Sequence, residues 1–118
     1  MTEVPAQMKQ DNWALFVLAR SHDPAVSVPY TRQLVSSLIA TMALADEHQY
    51  DQLLLNCKIE SSQAFRVYDE EKNMLRAHNM AINVLDNLGP LLYNLSWATS
   101  KSDSFKFPAK ETVQGGSK

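Results

Sequence analysis

The sequence predicts an all-α fold: a small bundle of three to four helices with one long central helix and a flexible C-terminal tail. Only 3 glycines and 5 prolines occur in 118 residues, below the usual share of chain-turning residues. Between Tyr30 and Leu88 there is neither. Over that stretch apolar side chains recur at spacings of three and four, the period of a helix face, not at the two of a strand. A chain of this length holds one hydrophobic core. It therefore reads as one helical domain over residues 1–98, followed by a polar tail over 99–118.

The first helix is expected between Pro5 and His22, with Pro5 suited to the opening turn and Asp23-Pro24 marking the exit. Its middle, Trp13 to Leu18, is apolar on every side, which predicts a helix sandwiched between neighbours. Asp23 to Pro29 carries two prolines, each pushing its preceding residue toward extended geometry, and is expected to form an ordered strap. The second helix is expected to begin near Ser27. Leu34, Val35, Leu38, Ile39 and Met42 then share one apolar face, with Arg32, Gln33 and Ser36 turned away. Asp46 to Gln49 either ends this helix or caps the next.

The third segment is the central one. A heptad series from Leu53 is good from Val67 onward, through Met74, Ala81 and Leu88, and poor across Glu60 to Gln63. As one helix, residues 50–88 would be about 58 Å long, against about 35 Å for a globule of this size. Two outcomes follow: a turn at Ser61-Ser62 that gives a compact bundle, or a continuous helix whose projecting part needs a partner. Serine is a weak helix breaker, which slightly favours the second. Gly89-Pro90 is the clearest stop signal, and residues 90–98 are expected to form a short apolar helix that closes the core.

Charge and composition narrow the function. The chain carries 11 basic and 13 acidic side chains, a formal charge of −2, which argues against neutralising nucleic-acid phosphates as a main role. One cysteine, Cys57, can form no internal disulfide, and a reducing, cytoplasmic setting is the default expectation. Residues 1–5 lack a basic patch followed by an apolar run, so no secretory signal is expected. The longest apolar run is six residues, far from the roughly 20 that span a bilayer.

Chemistry-bearing motifs are scarce. His22, His48 and His78 stand at no metal-ligand spacing, and no phosphate-binding glycine loop or nucleophile elbow occurs. No catalytic residue, metal or cofactor is expected. Arg66, Tyr68, Lys72 and Arg76 form the best candidate site for an anionic ligand, three cations beside a stacking ring. Asp69, Glu70 and Glu71 are interleaved with them, and neutralisation along the helix is the competing expectation. Asn79, Asn83 and Asn87 make a row of amides at four-residue spacing, either a solvated face or a polar seam that sets register between subunits. In the tail, Phe105 and Phe107 alternate with polar residues and suit docking on a groove.

The resulting expectation is a non-catalytic protein–protein interaction protein, a small regulator, inhibitor or secretion-chaperone-like adaptor. It would form a homodimer or larger oligomer through Val67, Met74, Leu75, Ile82, Asn79 and Asn83 and bind a further protein. The alternative is an oligomer that sequesters a small anionic ligand such as a nucleotide. A DNA-binding accessory role is weaker still.

Overall fold

A computed structural model describes residues 5–94, with the side chains of residues 5–92, and its architecture is all-α. The elements are α1 (Ala6–Ala19), α2 (Pro24–Leu44), α3 (Asp51–Arg66), a single π-helical turn (Val67–Glu71) and α4 (Met74–Asn94). No strand occurs among the described residues. The expected boundary at residue 98 and the tail, with Phe105 and Phe107, lie outside them.

The hub is α2, which packs against α1, α3 and α4. Its face of Leu34, Val35, Leu38 and Met42 is at most 2% exposed. It meets Trp13 and Phe16 of α1, Leu54 and Cys57 of α3, and Val84, Leu85 and Leu88 of α4 in one apolar core. A second cluster joins Val28, Ala64, Val67, Ala77 and Ala81. Its alanines let α3 and α4 approach closely.

Helix α2 starts earlier than the sequence suggests. Asp23 is its N-cap, its carboxylate accepting from the Ala25 N–H at 3.0 Å, and Pro24 occupies the first helical position. Both prolines of the expected strap are therefore helical. Pro24 needs no amide partner, and Pro29 removes the bond to the Ala25 carbonyl, still within the first two turns. The helix ends in a Schellman motif: the Glu47 N–H donates to the Met42 carbonyl at 2.9 Å and the Asp46 N–H to that of Ala43 at 3.2 Å. Asp46 takes the left-handed position, φ 56°, usually held by glycine.

The long central helix is divided, and not at Ser61-Ser62. Ser61 is buried and donates to the Lys58 carbonyl at 3.1 Å while α3 runs on. The break comes at Lys72, in the left-handed region with φ 57°. The consecutive carboxylates Asp69, Glu70 and Glu71 sit at the negative end of the helix macrodipole and repel one another, which opposes further propagation. The Val67 carbonyl accepts from the Lys72 and Asn73 N–H groups, closing the turn. Asn73 then caps α4, its side-chain oxygen accepting from the Arg76 N–H at 3.2 Å. The chain folds back instead of projecting, within principal dimensions of 41 × 29 × 21 Å.

Gly89-Pro90 does not stop α4, which continues to Asn94. Interior proline and glycine cost about 4 kcal/mol together, but Leu91 and Leu92 beyond them are 3% and 0% exposed, and their burial offsets about 3–6 kcal/mol. Pro90 and Asp86 are both exposed, so water reaches the carbonyl that loses its donor. Gly89 lacks the Cβ with which the proline ring clashes.

Helix α1 is less enclosed than its composition suggests. Trp13, Phe16 and Ala19 are buried, yet Val17 and Leu18 are 46% and 44% exposed among the described residues. A polar network ties α1 to α2: the fully buried Asn12 donates to Thr41 Oγ1 at 3.0 Å and accepts from the Ser37 hydroxyl. Thr41 in turn donates to the Ser37 carbonyl at 2.7 Å.

Candidate functional site

The burial pattern of α4 divides it into two faces. Ala77, Ala81, Val84, Leu85 and Leu88 are at most 4% exposed and pack inward. Leu75, Ile82 and Met74 are 70%, 39% and 38% exposed. Helical spacing sets Leu75, Asn79, Ile82 and Asp86 along the outer side at alternating steps of four and three, the seam spacing of paired helices. An open groove of about 520 Å³ runs along this face, lined by Arg76, Asn79, Met80, Ile82, Asn83 and Asp86, with Glu60 of α3 on its far wall. Asn83 Nδ2 donates to Glu60 Oε2 at 3.1 Å, fixing one amide of the row across the two helices. On α3, Leu55 and Ile59 are 49% and 50% exposed.

Several expected interface residues therefore share one surface: Leu75, Asn79, Ile82 and Asn83, with exposed Met74 at the start of the same helix. Val67 does not belong to it. It is 4% exposed and packed in the chain's own second core cluster, because it continues the buried face of α3 three residues after Ala64, on the other side of the Lys72 break from Met74. Sequence periodicity could not distinguish it from Met74, since both occupy the same heptad series.

The expected anionic-ligand cluster is spread over three elements. Arg66 is the last residue of α3, Tyr68 lies in the π turn, Lys72 is the left-handed residue and Arg76 is in the first turn of α4. Arg76 Nη1 pairs with Glu71 Oε1 at 3.0 Å, not in the Arg66–Glu70 or Lys72–Asp69 pairing that helical spacing suggests. The groove beside Arg76 contains Glu60 and Asp86 and none of the other three cluster members. Its carboxylates oppose an anion there.

One buried and one half-buried polar group, not singled out by spacing, meet between two helices. The fully buried Ser27 Oγ lies 2.7 Å from His78 Nδ1, linking α2 to α4. Burial, then the nearby His22, holds the His78 imidazole below its ordinary pKa of 6.5, with Asp23 opposing. The folded state thus favours neutral His78 and the unfolded chain takes the proton first. The stability from this contact is complete above the ordinary value and falls away as pH drops below it. His48 has the opposite sign: its hydrogen bond to Asp46, then the charge of Asp51, raises its pKa, so its contribution is lost as pH rises, and full exposure keeps it small. The melting temperature should decrease from about pH 7 to pH 5, and His78→Gln should flatten that decrease. Equal acid-side slopes in the two proteins would show that His78 is not the group responsible.

Cys57 is buried, and its thiol is pushed up to about 11 by burial and then by Glu60. It stays protonated near neutral pH, the unreactive form. Among the described residues no group of three or more His, Cys, Asp or Glu is placed to hold a metal ion, and no helix is long and apolar enough to cross a membrane. No family model, curated protein or solved structure matches this chain.

Proposed function

We propose that this chain is a non-catalytic helical interaction protein of the cytoplasm, a small regulator, inhibitor or adaptor that self-associates through the outer face of α4. The observation that carries the reading is Leu75, 70% exposed on a helix whose other side is fully packed. Ile82 extends the apolar surface two turns along. Large apolar side chains exposed beside a groove, with amides between them, are what a helix–helix interface requires. The anionic-ligand reading has less support, since Arg76 is already paired with Glu71 and faces a groove containing two carboxylates.

Light scattering after gel filtration tests this reading. The wild type should run as a dimer or larger at micromolar concentration, and the double substitution Leu75→Glu with Ile82→Glu should run as a folded monomer by circular dichroism. Both side chains are exposed, so the fold should survive. A wild type that stays monomeric over the whole range would sink the reading.

A further inference from the structure

We infer that the surface seated on the outer face of α4 is α4 of a second copy of this chain, packed antiparallel about a two-fold axis that passes opposite Ala81. This rests on the self-association reading above and specifies its geometry. A two-fold interface must be self-complementary: if residue i meets residue j of the other copy, j must also meet i. Ala81 is fully buried, so the point across the helix from it is the outermost line of α4 at that level. Residues equally far before and after Ala81 lie at equal angles on either side of that line, because each step turns the helix by about 100°.

Three pairs of groove-lining residues match about this centre. One step away, on the flanks, stand Ile82 and the half-buried Met80, which also packs on the second core cluster. Two steps away are Asn79 and Asn83, both amides; five steps away, Arg76 and Asp86, opposite charges. The exposed Leu75 and Asn87, six steps away, do not match, and each Leu75 would lie beside Asn87 of the other copy at the end of the contact. The intervening Ala77, Val84 and Leu85 are buried within the chain, and the half-buried His78 faces Ser27. All six matched residues line the groove. In antiparallel packing the Arg76 guanidinium of each copy faces the Asp86 carboxylate of the other, and Asn79 faces Asn83. Parallel packing would set Arg76 against Arg76 and Asp86 against Asp86, two like-charge contacts that electrostatic complementarity disfavours.

The groups have capacity for these bonds. Arg76 uses Nη1 on Glu71 in an exposed pair and retains further donors. Asn83 spends its Nδ2 on Glu60, leaving its carbonyl oxygen to accept from an amide of Asn79. Asp86 lies in the field of Arg20, but none of the ion pairs among the described residues includes it. Because the contact is built on one helix and is rich in polar groups, dimerisation should weaken with added salt.

Charge exchange tests the geometry by sedimentation equilibrium at low salt. Arg76→Asp alone and Asp86→Arg alone should each weaken the dimer at least tenfold, since each sets like charges against one another twice. An equimolar mixture of the two single variants, and the R76D/D86R double variant, should both associate within about threefold of the wild type. Circular dichroism on each variant reports whether it is folded, and the mixture supplies a rescue that needs no further substitution. Single variants that dimerise like the wild type, or a mixture and double variant that fail to recover, would overturn the antiparallel arrangement. If that happens while the wild type dimerises and the Leu75→Glu/Ile82→Glu protein does not, self-association through α4 stands and only this geometry fails. A wild type that never dimerises removes both.

Discussion

Leu92→Ala should destabilise the fold by about 3–4 kcal/mol in equilibrium denaturation, near the middle of the range for fully buried leucines. Leu92 is 0% exposed and belongs to the central core, two residues after a glycine–proline pair that suggests the end of a helix. The loss has two parts, the transfer energy of the removed methylenes and the cavity left between α4 and the core. Leu75→Ala on the same helix provides the contrast: at 70% exposure it should change stability by less than about 0.5–1 kcal/mol, measured below the concentration at which chains associate. A Leu92→Ala protein as stable as Leu75→Ala would mean that α4 does not pack beyond Gly89-Pro90.

Asn12→Asp should cost about 3 kcal/mol at neutral pH, the effect of setting a carboxylate where a fully buried amide now donates to Thr41 and accepts from Ser37. The new oxygen loses the Nδ2 donation, and Thr41 already spends its own hydroxyl on the Ser37 carbonyl. A buried carboxyl favours its protonated form, so its folded pKa lies above the unfolded one. The penalty is therefore largest near neutral pH and shrinks as the solution is acidified toward the carboxylate range. This trend opposes the acid-side loss expected from His78, and denaturation at about pH 7 and pH 5 separates them. A penalty that is the same at both values, or below about 1 kcal/mol, would show that Asn12 is reached by water.

The two substitutions probe features that differ in how legible they are in the amino-acid order. The apolar face of α2, Leu34 through Met42, follows from spacing alone, and so does the outward placement of Arg32, Gln33 and Ser36. On α4, the exposure of Leu75 and Ile82 beside the amides of Asn79 and Asn83 agrees with the surface that spacing suggests. Val67 does not, because it precedes the break at Lys72 and continues the buried face of α3 after Leu54, Cys57, Ser61 and Ala64. A signal for that break was present: three consecutive carboxylates followed by Asn73, a favoured N-cap, mark a helix end and a new start more clearly than Ser61-Ser62 does. The Asn12 network carried no such mark, since a lone asparagine in an apolar run gives no sign of the Ser37 and Thr41 that meet it from another helix.

Local physics suffices where a residue's environment is set by its own helix: scarce glycine and a period between three and four determine that the chain is helical, and amphipathic spacing determines which side of α2 is buried. Long-range packing determines the rest. Proline and glycine bear on helix ends by a few kcal/mol, which is the size of the burial energy of one or two leucines. Whether Gly89-Pro90 ends α4 thus depends on whether Leu91 and Leu92 find a core, and that core is built from Trp13, Phe16 and Leu38, more than fifty residues away in the chain. The same competition decides the central segment. A spine of about 58 Å gives way to two helices folded together because closing the turn at Lys72 lets Ala64 meet Ala77 and Ala81, a contact that no single helix can make with itself.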